Sequence, residues 1–517
     1  MKNVYTEHDI KAYKNRISEL ELLVKHYEER FRLFQKKKYG ASSEKSLYDQ
    51  LMIDGKLANE SDETLVGNPE LEKELPFKDI KEHYRKKRTR KESLPQNLPV
   101  EGIVCDLEEK ECPNCGTQTE AFGNDYREEL VVIPAKVAIR KFIIPKYICR
   151  KCGDDAESES TIIISGNAPN PVIKGSHASP ESVAYAAYQK FVMGVPLYRQ
   201  EQEWKRKGVL MSRQTLANQL ISSSEKWLIP LWEEMKSQLL ARDNIHADET
   251  TFQVLREEYK KPQSKSWLWC YRTSGYTNNP LVVAEYKPNR KEKNPITFLS
   301  TFKGYLHSDG WPAYHKLSSD VIVVGCWAHA RRKWDEALKA ILSTVDKSNT
   351  LELKGKRYCD KMFEIEKHIA ELPPDEKYEK RQEVLKPIMD EFFTWAFDIS
   401  TNAKSSLGLA IGYMRSQEKY LRNVLLDGRL ELSNNRAERT IKPFVISRKN
   451  FLFANTVRGA NTAAIIFSLI ETAKEIGVDP FEYLCYVFKT APNVNMANSK
   501  NIKALLPFGF KHDPILL

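Results

Sequence analysis

The order of apolar runs between residues 244 and 334 limits the folds open to this chain more than any other feature of its sequence. Short runs rich in β-branched and aromatic residues predict strands at 244–255, 266–271, 281–286, 304–311 and 321–325. A helical stretch near 296–302 separates the third run from the fourth, and the fifth leads into a helix that begins near residue 326. Sequential strands followed by alternating helix and strand predict a mixed α/β core.

This order of elements is that of a ribonuclease-H-like core, and two of its predicted strands carry an aspartate. Asp248 lies within the first strand, and Asp309 lies at the end of the fourth. Carboxylates suit Mg²⁺, and two ions about 3.5–4 Å apart serve phosphoryl transfer by activating the attacking oxygen and stabilising the leaving one. Glu249 is expected on the opposite strand face, as a supporting residue. An isolated aspartate at a strand end is more often structural, so this chemistry requires a third carboxylate.

The segment 432–442 offers that third carboxylate, Glu438. Ser433 is the predicted N-cap of a helix on which Glu438 lies one turn in, with basic side chains around it. Such a segment taken alone is usually a solvated helix face, but beside two aspartates it predicts a cationic groove for a DNA backbone. The residues of this helix predicted to contact DNA are Asn435, Arg436, Arg439 and Lys442.

The predicted catalytic core spans residues 241–475, and a helical insertion at 335–430 precedes the third carboxylate. A C-terminal segment follows at 476–517, and the apolar run 463–470 is most simply core. Cys326 and His329 have the spacing of metal ligands, but without a second pair nearby a phosphate-contacting or orienting role is favoured for His329. Further DNA contacts are predicted for His329, Arg331, Arg332, Arg448, Lys449 and Arg458.

Residues 178–240 predict a helical domain that resembles a helix-turn-helix. Helices are expected at 182–192, 197–207 and 213–227, separated by Gly194 and Gly208, with Ser212 as a cap. A third helix that opens with polar residues fits the major groove of DNA, although many helical bundles share this pattern. The candidate DNA contacts on that helix are Arg213, Gln214 and Asn218.

Two Cys-x-x-Cys pairs in residues 101–165 predict a structural zinc site. The four candidate ligands are Cys112, Cys115, Cys149 and Cys152. Apolar runs at 130–133, 137–139 and 142–144 predict strands between the pairs, so that four thiolates close the site around one Zn²⁺. Cys105 is the less favoured alternative ligand. An odd count of nine cysteines, without a secretory signal, favours metal binding in a reducing compartment over disulfides.

The N-terminal residues 1–39 predict a coiled coil, followed by a flexible basic linker at 40–100. Apolar residues alternate three and four apart at Ile10, Tyr13, Ile17, Leu20, Val24, Tyr27, Phe31 and Phe34. This 3.5-residue period predicts a homo-oligomer, with one amphipathic helix packed on its own domain as the alternative. The net charge of +10 and the basic run at 84–91 favour a nucleic-acid partner. No run of about 18 apolar residues occurs, which excludes a membrane span.

Four motifs in order resemble the DDE transposase of the insertion-sequence-sixty-six family. They are HADET at 246–250, SDG at 308–310 with Tyr314, CWAHARR at 326–332 and NNRAER at 434–439. The likeness extends to SRKNFLF at 447–453, to the heptads and to the Cys-x-x-Cys pairs, and Trp311 stands where the family more commonly has Tyr. It implies a catalytic triad of Asp248, Asp309 and Glu438.

The resemblance also implies cofactors, partners and a location. The triad would hold two Mg²⁺ or Mn²⁺ ions, cut double-stranded DNA at element ends and transfer the strands into target DNA. We expect a bacterial cytoplasmic protein associated with the nucleoid, which accessory proteins of the same element would assist. A nuclease or resolvase that hydrolyses without joining, and a non-enzymatic DNA-binding regulator, remain the alternatives.

Overall fold

The computed structural model of the protein describes residues 136–148, 163–342 and 344–510, together with nine helical positions between 14 and 31. The chain divides into two compact units, residues 1–48 with 144–517 and residues 49–143. The described heptad positions 17, 20, 24, 27 and 31 are helical and 44–60% exposed, which agrees with the predicted helix. Self-association of that helix stays a prediction. The four zinc-ligand cysteines, the run 130–133 and the linker 40–100 lie outside the described residues.

The two strands predicted at 137–139 and 142–144 are wrong. Residues 136–145 form no strand, and a two-stranded antiparallel sheet begins only after Pro145. Its strands are β1 (Lys146–Ile148) and β2 (Ile163–Ser165). The backbone groups of a strand need a partner, and the register pairs Lys146 with Ser165 and Ile148 with Ile163. Strand β2 therefore supplies that partner to the residues beyond Pro145.

A group of helices follows, and it confirms the three helices predicted in this part of the sequence. The helices are α1 (Pro180–Phe191), α2 (Leu197–Arg206), α3 (Arg213–Ser223) and α4 (Ile229–Leu240). Gly208 adopts φ +79° in the turn between α2 and α3, a conformation that L side chains rarely adopt. The third predicted helix extends beyond α3 as one π-turn, Ser224–Leu228, which buries Trp227 so that its indole donates to Val172 O at 2.8 Å.

All five predicted strands of the central sheet are present. They are β3 (Asn244–Arg256), β4 (Lys265–Thr273), β5 (Val282–Lys287), β6 (Gly304–Ser308) and β7 (Val321–Gly325), with α5 (Lys293–Phe298) before β6. Their order is β5-β4-β3-β6-β7, antiparallel from β5 to β3 and parallel from β3 to β7. The fourth strand ends at Ser308, earlier than predicted, and Gly310 then turns the chain with φ +81°.

The predicted insertion between the second and third carboxylates is helical. It comprises the last part of α6 (Trp327–Ala340), then α7 (Leu351–His368), α8 (Pro374–Lys380), α9 (Lys386–Asp398) and α10 (Ser406–Arg422). These helices bury a hydrophobic cluster of their own, which includes Trp327, Trp334 and Phe392. Arg381 is fully buried within it, held by both oxygens of Glu366 and by three backbone carbonyls.

The chain then returns to the sheet. The elements are α11 (Asn435–Phe451), β8 (Ala454–Thr456), α12 (Val457–Glu475), α13 (Pro480–Thr490) and α14 (Ser499–Leu505). The short β8 pairs with the far end of β3, and α12 packs along β5, where Ser468 Oγ accepts from Ala284 N at 2.7 Å. The predicted core run 463–470 is buried. Within the described residues, no helix is both long and apolar enough to cross a membrane.

Candidate active site

Three carboxylates from separate elements converge at one end of the central sheet. The parallel register of β3 and β6 pairs His246 with His307, so Asp248 and Asp309, each two residues further on, come to the same edge. Glu438 arrives from the first turn of α11. The Asp309 and Glu438 side chains are 24% and 32% exposed, which leaves both accessible from solvent.

The carboxylates act on one another electrostatically. The pKa of Asp248 lies well above its usual range, first because of burial and then because Glu249, Glu438 and Asp309 repel its negative charge. A cluster of oxygen ligands whose ionisation is opposed in this way is suited to a hard divalent cation, which would compensate the charge. The donor set therefore fits Mg²⁺ or Mn²⁺.

Glu249, predicted as a supporting residue, anchors an arginine beside Asp309. Its side chain is 1% exposed, and it accepts from Arg290 Nε at 2.7 Å and from the Tyr314 hydroxyl at 2.9 Å. Burial raises the pKa of Glu249, with a further contribution from Asp309, while Arg290 and Tyr314 oppose the shift. The Glu249 carboxylate is thus already engaged by the Arg290 and Tyr314 side chains, whereas Asp248 Oδ1 accepts from the Glu249 backbone amide at 2.9 Å.

Arg290 is a candidate functional residue that the sequence analysis did not identify. Its guanidinium lies 5.1 Å from the ring centre of Trp267 and 4.6 Å from that of Trp311, and its Nη2 is 3.8 Å from Asp309 Oδ2. Its position depends on Glu249 and two aromatic rings distant in sequence, so no local motif signals it.

A cationic surface cleft of about 530 Å³ opens next to Arg290 and Trp311. Lys291, Lys293 and Lys316 also line it. Because the amide of Trp311 donates to Asp309 Oδ1 at 3.0 Å, this cleft adjoins the carboxylate cluster. Positive side chains next to the carboxylates attract a polyanion such as a DNA backbone.

Two residues predicted as phosphate contacts, His329 and Arg332 of α6, lie beside Glu438. His329 Nδ1 is 3.6 Å from Glu438 Oε1, and Arg332 Nη2 is 3.8 Å from Glu438 Oε2. Burial lowers the pKa of His329, and Glu438 partly offsets that effect. Cys326 occupies the N-cap position of α6 without a side-chain capping bond, and burial raises the pKa of its thiol to about 12.

The start of α11 is fastened to β3 by Asn434. The prediction that Ser433 is the N-cap is wrong: Asn434 occupies that position, and its side chain bonds to β3 instead of capping the helix. Asn434 Nδ2 donates to Ala247 O at 2.8 Å, and Asn434 Oδ1 lies 3.0 Å from His246 Nδ1. Asn434 is 1% exposed, so these bonds are shielded from water and fix the turn that carries Glu438 next to Asp248.

Several predicted DNA contacts are engaged within the protein. Arg331 pairs with Asp360, Arg436 donates to Glu431 at 2.6 Å, Arg448 donates to the Thr250 and Thr251 hydroxyls, and Arg458 makes two bonds of 2.7 Å to Glu225. The predicted residues with exposed positions are Arg213, Gln214 and Asn218 on α3 and Arg439, Lys442 and Lys449 on α11. Asn435, in the first turn of α11, is partly buried. His329, Arg332 and the start of α11 therefore lie beside the carboxylates. Arg331 and Arg458 instead form ion pairs with acidic residues elsewhere.

Four family models match the chain and together cover most of its length. Their descriptions are "Transposase IS66 family" at residues 175–462, "zinc-finger binding domain of transposase IS66" at 109–153, "IS66 C-terminal element" at 468–508 and "Transposase C of IS166 homeodomain" at 26–103. The zinc-finger match includes all four predicted cysteine ligands and supports a structural zinc.

Proteins of Sinorhizobium fredii are similar over most of the chain. One, named "Uncharacterized protein y4qI", is 30% identical over 447 residues, which cover 81% of this chain and 78% of the relative. Another, "Uncharacterized protein y4jD", is 27% identical and covers 82% of each. A third, "Uncharacterized protein y4hP", is 26% identical over 78% of this chain and 74% of its own length.

Proposed function

The chain belongs to the IS66 transposase family, and on that premise we propose that it is a DDE transposase with a ribonuclease-H-like core. It cuts double-stranded DNA at the ends of an insertion sequence and joins the freed ends to target DNA. The observation that carries this proposal is the convergence of Asp248, Asp309 and Glu438 from β3, the end of β6 and the start of α11. The topology of the sheet and the family membership support it.

The three carboxylates hold two Mg²⁺ or Mn²⁺ ions in this proposal. Those ions, when bound, activate the attacking oxygen and neutralise charge on the phosphate and on the leaving oxygen. In the first reaction water attacks the phosphorus at the element end, and the bond to the 3′-oxygen breaks to free a 3′-hydroxyl. In the second that hydroxyl attacks a target phosphate in line, and one phosphodiester replaces another.

The chain's other residues bind and orient the DNA. Arg332, with its side chain 47% exposed and next to Glu438, contacts the scissile phosphate from one side. Arg290 holds the opposite side, near Asp309, and the lysines of the adjoining cleft bind the flanking backbone. Helix α3 presents its exposed polar side chains to the DNA outside the catalytic site. The N-terminal helices pair chains so that two DNA ends are brought together, with accessory proteins of the element assisting.

A cleavage and strand-transfer assay tests this function. Purified full-length protein is incubated with labelled element-end DNA, a target plasmid and Mg²⁺ or Mn²⁺. The variants Asp248→Asn, Asp309→Asn and Glu438→Gln keep the size of each side chain and remove its charge. The matched control is Asp320→Asn, a surface carboxylate paired with Lys303 outside the cluster.

We expect the wild type and the control to nick and join, and the three triad variants to bind DNA without cutting it. Cutting without joining, with accessory proteins supplied, would identify a nuclease. Binding without any cutting would identify a regulator. Joining that survives Glu438→Gln would show that another residue supplies the third carboxylate.

A further inference from the structure

One group of side chains next to the triad has the composition of a softer metal site. Cys326, His329 and Glu438 each offer one ligand atom, and the three atoms lie within 4.8 Å of one another. Cys326 is 1% exposed. His329 Nδ1 and Glu438 Oε1 are both buried atoms without a hydrogen-bond partner, although they lie only 3.6 Å apart. Buried polar atoms normally have a hydrogen-bond partner. Two such atoms that face each other without one indicate that a ligand between them is missing.

We propose that Cys326, His329 and Glu438 bind Zn²⁺ and that this zinc site shares Glu438 with the triad. In a tetrahedral zinc site, bonds of about 2.0–2.2 Å to nitrogen and oxygen place those two atoms roughly 3.4 Å apart. The observed separation of 3.6 Å is close to that value. Cys326 is the N-cap of α6 and His329 lies in the first turn, so one helix end presents both ligands on one face. Three protein ligands leave a fourth position for water.

The ligand types favour zinc over magnesium. Thiolate and imidazole are soft or borderline ligands that suit Zn²⁺, whereas Mg²⁺ selects oxygen. Arg332 Nη2 lies 3.8 Å from the other oxygen of Glu438 and opposes a cation there, so the site depends on the negative charge of the thiolate and the carboxylate. Binding therefore releases the thiol proton of Cys326.

Zinc at this site would regulate catalysis, a consequence that rests on the proposed function. A zinc ion that binds Glu438 Oε1 withdraws that carboxylate from Asp248 and Asp309. Cleavage in Mg²⁺ would then fall as zinc is added, while DNA binding stays unchanged.

Metal binding by the full-length protein tests the site independently of activity. Zinc per chain is measured by elemental analysis after dialysis against buffered Zn²⁺, and Co²⁺ is used as a spectroscopic probe of thiolate coordination. The test variants are Cys326→Ala and His329→Gln. The matched control is Cys359→Ala, which removes another fully buried thiol, on α7.

We expect each test variant to bind one zinc fewer per chain than the wild type and to lose part of the thiolate-to-cobalt absorption, whereas the control retains both. His329→Gln decides the matter should Cys326→Ala fail to fold. Unchanged zinc content in the folded test variants would overturn the proposal. A wild type that binds this zinc but never cuts DNA would contradict the proposed function and leave the zinc site standing.

Discussion

Replacing Asn434 with alanine should both destabilise the core and weaken metal binding. The substitution removes the donor to Ala247 O and the partner of His246 Nδ1, and both of those groups are buried. A buried polar group left without a partner costs about 1–3 kcal/mol, so the two together should lower the free energy of unfolding by roughly 2–6 kcal/mol. The first turn of α11 would also lose its fastening to β3, and Glu438 would no longer be held against Asp248.

The loss is measured in two assays. Urea unfolding followed by circular dichroism gives the change in stability, and element-end cleavage at varied Mg²⁺ gives the half-saturating concentration. Groups that orient metal ligands typically change metal affinity about 10–100-fold, and we expect a rise of that order in the half-saturating Mg²⁺. Asn434→Asp keeps the acceptor for His246, but it replaces the amide donor with a carboxylate oxygen that repels Ala247 O. It should therefore lower stability and metal affinity at least as much as Asn434→Ala.

The matched control is Asn423→Ala, which removes a single bond of 2.7 Å to Val323 O. It should lower the free energy of unfolding by only about 1 kcal/mol and leave the Mg²⁺ dependence as in the wild type. A loss below 1 kcal/mol for Asn434→Ala, together with an unchanged Mg²⁺ curve, would refute the view that Asn434 positions the third carboxylate.

Three further predictions concern stability, pH and DNA affinity. Arg381→Met should lower the free energy of unfolding in urea by about 3–5 kcal/mol, since it leaves Glu366 buried without its main partner; a neutral result would contradict that role. Because the pKa of Asp248 is raised, the folded metal-free protein keeps the Asp248 carboxyl protonated up to a higher pH than the unfolded chain does. The contribution of Asp248 to the free energy of unfolding therefore falls as pH rises from about 4 towards the raised pKa. Thermal unfolding should therefore show a larger Mg²⁺ stabilisation at pH 8 than at pH 5, and an equal effect at both would count against the carboxylate cluster. Arg213→Ala should weaken DNA binding and reduce the slope of log affinity against log salt by about 1, whereas Lys500→Ala on α14 should change neither in a fluorescence anisotropy titration.

The sequence was sufficient to predict the central sheet and two of its catalytic candidates. Strand positions follow from apolar runs, and the parallel pairing of β3 with β6 then places Asp248 next to Asp309. The residues alone indicated Glu438 only in combination with the two aspartates, because a helix face rich in charge is by itself ordinary, and the family resemblance implies the same residue. A structural zinc is supported by the family match, while its four predicted ligands lie outside the described residues and stay a prediction.

Other features depend on tertiary contacts that a local pattern does not contain. Ser433 has the side chain of an N-cap, but the buried donor and acceptor on β3 recruit Asn434, and the helix begins one residue later. Arg290 reaches Asp309 only because Glu249 and aromatic rings from two other segments hold its guanidinium. The strands predicted before Pro145 fail because an apolar run forms a strand only where a partner pairs with it.

The most direct test of the central claim is the position of the metal ions on the protein bound to element-end DNA. Crystals of that complex grown with Mn²⁺ would give anomalous difference density that identifies each ion and its ligands. The account predicts two ions about 3.5–4 Å apart, with Asp248, Asp309 and Glu438 as the protein ligands. Manganese coordinated by Glu249 in place of Glu438, or found away from the end of β6, would contradict it.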